Sequence, residues 1–328
     1  MHLVRPLVLC LLAAPLTAQG AASHTDLVVF GDSLSDNGNH FAASAFPPAP
    51  YWEGRFTNGR VWAEQLANHL GLPADGIDDR AVGFAPTTDV LQQQVLPWLA
   101  ATGPADPDAL YAYWAGANDL FGLLTYGGDP QVVIGEAMQN TAGALLALLG
   151  AGARSIVVLN LPDLSLTPFA RELGAPAQQQ VRLLTMAYNG ALAQTLAALE
   201  SATGADFVEV DAFGLIQAID AAPRSFGFKH ADRRALSPDG VVARRVEDYL
   251  FWDHVHPTSR GHSQVMGAVL EQLGILWGDV DGDGALSGND VAALVQALGP
   301  SSPGNRADLD GDGDVDHDDL DLLHAILK

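Results

Sequence analysis

The stretch that most constrains this chain lies at residues 27–39, where the apolar segment Leu27-Val28-Val29-Phe30 breaks into Gly31-Asp32-Ser33-Leu34-Ser35-Asp36-Asn37-Gly38-Asn39. A short unbroken run of β-branched and aromatic residues belongs in the middle of a sheet covered on both faces, and Gly31 permits a sharp exit from it. A serine hydroxyl at the end of such a strand is held rigidly and can still be reached by a substrate. Glycine, aspartate and serine are also ordinary turn residues, so Ser33 counts as a nucleophile only if the rest of the chain supplies partners.

Residues 109–114, 155–159 and 207–210 read as further buried strands, and residues 79–86 as a short strand opening into a loop. Helical spacing marks 61–70, 90–99, 131–149, 178–199 and 259–273. Strands separated by helices of this length pair in parallel through right-handed crossovers. The expected fold is therefore α/β, a three-layer α/β/α sandwich whose sites form at the carboxyl ends of its strands. The strand at 109–114 runs into the polar break Gly116-Ala117-Asn118-Asp119, which sets Asn118 at the same edge as Ser33.

Between the last strand and the closing helix, Phe251-Trp252-Asp253-His254-Val255-His256-Pro257-Thr258 delivers an acid and two histidines into a loop. The Asp253-x-x-His256 spacing lets a tight loop press the carboxylate against one imidazole nitrogen while the other points away. Neither His254 nor His262 has an acid at that spacing, and both read as structural or surface residues.

Four blocks now stand in order: the run from Phe30 to Asn39, Ala81-Val82-Gly83-Phe84-Ala85, Trp114-Ala115-Gly116-Ala117-Asn118-Asp119, and the segment 251–258. In these blocks the chain resembles the GDSL esterase and lipase family, the SGNH hydrolases, over roughly 26–276. The loop Gly54-Arg55-Phe56-Thr57-Asn58-Gly59-Arg60-Val61-Trp62 is similar to the bacterial branch of lipases, phospholipases and acyltransferases. The resemblance implies a flavodoxin-like fold and ester hydrolysis with Ser33 as nucleophile, His256 as base and Asp253 as its orienting acid. It also implies oxyanion donors at the Ser33 N–H, the Asn118 amide and a backbone N–H of the second block. The family has two glycines there, and this chain has Gly83-Phe84, so either residue is open as the donor.

From Asp279 onward the chain carries twelve aspartates against Arg306 and Lys328. They fall in a repeat with a 29-residue offset. Asp279, Asp281, Asp283, Ser287 and Asp290 hold positions 1, 3, 5, 9 and 12 of the first copy, and Asp308, Asp310, Asp312, Asp316 and Asp319 those of the second. With glycine at position 6 and a backbone carbonyl at position 7 (Ala285, Asp314), this is a calcium-loop pattern. Each loop precedes one amphipathic helix, and the pair resembles a type I dockerin, a small all-α module folded by calcium that implies a cohesin-type partner. Positions 10 and 11 are Gly288-Asn289 and His317-Asp318, unlike each other, so a calcium-stapled module with no cohesin partner is an equal reading.

Residues 1–22 have a charged start, a short apolar middle and small residues before a plausible cleavage point, and are expected to be a secretory signal. The hydrolase domain is expected at 24–276 and the calcium module at 278–328. No later segment is expected to span a bilayer. Net charge is −23 with only two lysines, which argues against nucleic acid and anionic membranes as partners. The sole cysteine, Cys10, lies in the signal. No cofactor is expected in catalysis, and the substrate class is acyl esters. Two other readings stand beside this one, a polysaccharide deacetylase and a non-catalytic surface-assembly protein with a decayed hydrolase domain.

Overall fold

The computed structural model describes residues 24–73, 76–301 and 305–327; the expected signal lies outside them. Five strands, β1 (Leu27–Gly31), β2 (Ile77–Asp79), β3 (Leu110–Trp114), β4 (Ser155–Leu159) and β5 (Phe207–Val210), form one parallel sheet in the order β2-β1-β3-β4-β5. That is the flavodoxin-type order, with the strand order reversing between β1 and β3. Gly31 pairs with Trp114 there.

Side chains alternate between two cores, as the two-residue strand period requires. Val28, Phe30, Tyr111, Tyr113, Ile156 and Val158 face one core. Leu27, Val29, Leu110, Ala112, Val157 and Leu159 face the other. Helix α1 (Trp62–His69) belongs to the second core, as its Trp62 and Leu66 show. After β3 come α2 (Ala117–Tyr126), α3 (Pro130–Ala151) and α4 (Ala175–Thr203), which cover the first core. Helix α5 (Ala212–Ala221) leads to the two-stranded parallel pair β6 (His230–Arg234) and β7 (Tyr249–Phe251), and α6 (Ser259–Gln272) closes the second core.

The elements start and stop for local reasons. Asp129 caps α3 by accepting from the Gln131 N–H, Pro130 occupies the first helical turn, and Gly152 at φ 116° ends it. Thr258 caps α6 through the Gly261 N–H.

Two expectations need correction. The strand near residue 79 ends at Asp79 rather than starting there, and residues 80–86 are loop. The polar break after β3 is the first turn of α2, begun by Gly116 at φ 122°. Helix α3 is long and apolar enough to cross a membrane by length and composition. Ala137, Ala144, Leu145 and Leu148 on one of its faces are fully buried against the sheet, and core packing accounts for that apolarity.

A smaller core made by Leu294, Ala307, Leu309, Val315, Leu322 and Leu323 joins α7 (Gly288–Gln296) and α8 (His317–Ile326). A two-residue antiparallel pairing of Gly299–Pro300 with Asp314–Val315 adds to this otherwise helical module. Trp277 packs on both cores, its ring filling the space above Gly267 of α6.

Gly31 sits where β1 meets β3 most tightly. A Cβ there would lie 2.5 Å from the Trp114 carbonyl oxygen. Gly31→Ala is expected to cost about 1–3 kcal/mol of stability as β3 shifts, read as a lower urea midpoint at unchanged m-value.

Candidate active site

Ser33 lies in the turn directly after β1, and its base is anchored from several sides. Gln94, in a π-helical turn, uses its amide like a strand edge, accepting from the Gly31 N–H (3.0 Å) and donating to the Gly31 carbonyl (2.8 Å). Asp36 accepts from Gly38 and Asn39 N–H at 2.8 and 2.6 Å. Asn39 Nδ2 in turn donates to the Asp79 and Ala81 carbonyls, tying the Ser33 loop to the loop after β2.

The second half of the site comes from the turn after β7. Trp252 N–H donates to the His256 carbonyl and Phe251 bridges to Pro257, so the chain doubles back with Asp253 at its tip. Asp253 Oδ1 accepts from the Val255 and His256 N–H groups, each at 2.8 Å. Its Oδ2 lies 2.7 Å from His256 Nδ1 and accepts a hydrogen bond from the Tyr51 hydroxyl at 2.9 Å. Burial alone would push this carboxyl up, but the His256 ring and the two backbone N–H groups outweigh it and hold the group well below the usual carboxylate range. A charged carboxylate only accepts, so the imidazole proton sits on Nδ1. Nε2 is then free to accept from Ser33 Oγ, 2.8 Å away. The Phe56 ring lies 5.2 Å from the imidazole.

The two open positions of the second block differ sharply. The Gly83 N–H donates to Asp36 Oδ2 at 2.7 Å, and a Cβ on Gly83 would strike the Phe56 ring at 2.4 Å. Phe84 adopts φ 67° and lines the cleft with Ser33. Its N–H, like that of Ser33, has no acceptor among the described residues. Asn118, in the first turn of α2, also lines the cleft; its Nδ2 donates to Asp32 Oδ2 and the Ala85 carbonyl, both at 3.2 Å. Burial pushes the Asp32 carboxyl up to about 7 against the pull of the Leu34 N–H.

A cleft of about 290 Å³ opens from Ser33 between Phe121, Leu164, Phe169, Ile216 and Phe251. Phe84, at the cleft wall, also belongs to a ring cluster with His40, Phe46 and Phe56, with centroids 5.3–6.3 Å apart. Of the remaining histidines in this region, His254 sits 3.0 Å from Arg234 Nη1, and His262 is buried within α6. Tyr51 escaped the sequence reading because its loop is joined to Asp253 only by tertiary packing; aromatics among turn residues were the one available hint.

In the C-terminal module, Asp279, Asp281 and Asp290 converge, as do Asp308, Asp310 and Asp319, and Asp314, Asp316 and Asp319, with ligand atoms within 4.8 Å in each group. Asp283 and Asp312 stand outside these groups. The residues fit a divalent cation: Asp279 Oδ1 and Asp308 Oδ1, at position 1 of each loop, are buried without a hydrogen-bond partner among the described residues. Burial, with neighbouring Asp308, also pushes the Asp319 carboxyl up to about 7, a cost that a bound cation removes.

A flavodoxin-ordered sheet with Ser33, Asn118 and an Asp-x-x-His loop at its carboxyl edge defines an SGNH-type hydrolase fold. The family model described as GDSL-like Lipase/Acylhydrolase matches residues 27–269, and the chain belongs to that family. Residues 277–328 match the Dockerin type I domain, and dockerin domains bind calcium. Among characterised relatives, the phosphatidylcholine-sterol acyltransferase of Aeromonas hydrophila is 30% identical, over 77% of this chain and 92% of its own length. The thermolabile hemolysin of Vibrio parahaemolyticus is 29% identical over 75% of this chain, and the match spans 63% of the hemolysin. An acetylxylan esterase from Geobacillus stearothermophilus superposes with a TM-score of 0.47 at 16% identity, covering 78% of this chain and 97% of its own.

His262 provides a pH test of the packing beneath the site. Burial, with the His256 charge beyond it, pushes its pKa down to about 3. Below the ordinary histidine value the unfolded chain takes up this proton and the folded chain refuses it, so stability present at neutral pH is lost as pH falls from about 6.5 toward 3. Asp32 works in the opposite sense, adding stability at low pH that is lost as pH rises through 7. His262→Gln is expected to lose less stability than the wild type between pH 7 and pH 4, by on the order of 3 kcal/mol, measured by urea denaturation at the two values.

Proposed function

We propose that this chain is a secreted esterase or lipase that cleaves acyl esters through Ser33, His256 and Asp253. The observation that carries the reading is the relay from Asp253 through His256 to Ser33, with steps of 2.7 and 2.8 Å, at the mouth of an apolar cleft. Ser33 Oγ attacks the acyl carbon and its proton passes to His256 Nε2, while the carbonyl electrons move onto oxygen. Collapse expels the alcohol, which takes the proton from Nε2, and water then cleaves the acyl-serine by the same route. Asp253 holds the tautomer and balances the imidazolium. Tyr51 keeps that carboxylate oriented.

The oxyanion is met by the Ser33 and Phe84 N–H groups and by the Asn118 amide, which gives up one of its two long 3.2 Å contacts to Asp32 and the Ala85 carbonyl to do so, whereas the Gly83 contact is short at 2.7 Å. Of the two donors open in the second block this reading takes Phe84, because the Gly83 N–H is already spent on Asp36. A backbone donor does not depend on its side chain, so the missing second glycine leaves the site complete; its cost is a phenylalanine held at φ 67°. The apolar walls favour acyl chains over acetyl groups on sugar. No cofactor takes part in catalysis in this reading.

The proposal extends to both flanks. Residues 1–22 direct secretion, 24–276 form the hydrolase domain, and 278–328 hold two structural calcium ions and offer a cohesin-type partner a surface outside the cell.

Assays on short-chain, long-chain and acetyl-sugar esters test this. Ser33→Ala is expected to fall to the uncatalysed background, and equal rates for both proteins would sink the enzyme reading. Preference for the acetyl sugar would replace a lipase with a deacetylase. Asn118→Ala is expected to lower kcat about 100-fold, whereas Phe84→Gly, which keeps the N–H, should stay within about tenfold on short esters. A collapse of Phe84→Gly to the level of Asn118→Ala, with folding intact, would remove Phe84 from the oxyanion site.

A further inference from the structure

The two calcium loops are near copies in sequence, yet they sit in different surroundings. Asp281, at position 3 of the first loop, is exposed, whereas its counterpart Asp310 is only 4% exposed. What covers the second loop is the hydrolase domain itself. Ser259 Oγ donates to the Gly311 carbonyl at 2.9 Å. The Gln65 side chain reaches the Ser259 carbonyl (3.1 Å) and lies so close over Gly311 that a Cβ there would come within 2.2 Å of its Nε2. Arg60 Nη1 pairs with Asp308 Oδ2 at 3.2 Å, and Asn68 Nδ2 donates to the Asn305 carbonyl at 3.1 Å. Trp277 packs on Gly267 of α6 and on the core of the module.

The point of attachment bears on the site. Ser259 is the first residue of α6, directly after Thr258, and His256 lies three positions before it. Asn58 Oδ1 accepts from the Ser259 N–H, and Thr57 donates to the Pro257 carbonyl, so one set of contacts holds the loop start, the helix start and the histidine turn.

We propose that the second calcium loop is an internal docking element, bound in its cation-loaded state to this chain's own hydrolase domain and bracing the start of α6 and the His256 turn. The physical link is charge. Asp308, Asp310 and Asp319 converge in a buried position, and among the described residues Arg60 pairs with Asp308 while Arg260 lies near enough to act on Asp310, two cations against three carboxylates; a divalent ion supplies the positive charge that lets this cluster be buried against another surface. Asp308 Oδ1, buried without a partner, is the atom left for it. By linkage, docking and calcium binding at this loop strengthen each other. The first loop, with Asp281, Asp283 and Gly288-Asn289 exposed, is left for outside partners.

This inference rests on the calcium reading of the module, and the test separates the two. Calorimetric calcium titration of the full chain is paired with hydrogen–deuterium exchange in calcium and in chelator. The expected result is two ions bound and exchange slowed about tenfold or more at residues 58–69 and 256–266. Arg60→Glu is expected to abolish that slowing while the first loop still binds its ion. Absence of any calcium binding would overturn the calcium reading and this one with it. Two ions bound with no change at 58–69 and 256–266 would overturn docking alone, as would undiminished slowing in Arg60→Glu. Ser259→Ala, which removes the contact without adding charge, takes its place if Arg60→Glu does not fold.

Discussion

The carboxylate of Asp253 receives four hydrogen bonds in a nearly dry position, and the geometry around Ser33 follows from how they are supplied. Two come from its own turn, which forces residues 252–257 into a tight reversal. One comes from Tyr51, some two hundred residues earlier, and one from the imidazole it aims. A buried charge is tolerated only when it is satisfied this fully. Satisfying it brings together the loop before α1, the turn after β7 and the end of β1. The reversal of strand order between β1 and β3 then supplies the crevice in which Ser33 Oγ meets the ring.

The parts of this arrangement that were legible in the sequence are those in which local pattern and chemistry coincide. Ser33 and Asn118 follow unmistakable buried strands, and Asp253 and His256 are three residues apart, so a single turn relates them. The alternating strand faces and the long helices were readable for the same reason. The difference between Gly83 and Phe84 was not, because it lies in where Asp36 reaches across from another loop and in a backbone angle that phenylalanine rarely adopts. Tyr51 was hidden because its partner is distant in sequence. Helix α2 was read as loop because its first turn, Ala117-Asn118-Asp119, is built of residues that equally suit a turn, and Thr87 fastens Asp119 only through tertiary contact.

Helix α3 shows the converse. Its apolarity is strong enough to pass for a membrane span, and only the sheet underneath reveals that one face is core cover, while Gln131, Glu136, Gln139 and Leu146 are exposed. Composition alone does not distinguish these solvents. The calcium loops fall between the two extremes: spacing identifies the ligand set, while the asymmetry between the copies exists only in three dimensions.

Trp277 occupies two cores at once, its indole lying over Gly267 on one side while Gly278, at φ 94°, turns the chain directly into the module on the other. A hydrolase tethered through a pliant linker sweeps out a volume and can meet substrate from any approach. Here no stretch of free chain separates Trp277, packed on both cores, from the module. If a partner grips the module as proposed, it also fixes the compass bearing of the cleft, so the reach of the hydrolase domain is decided by where it is mounted rather than by how far it can swing.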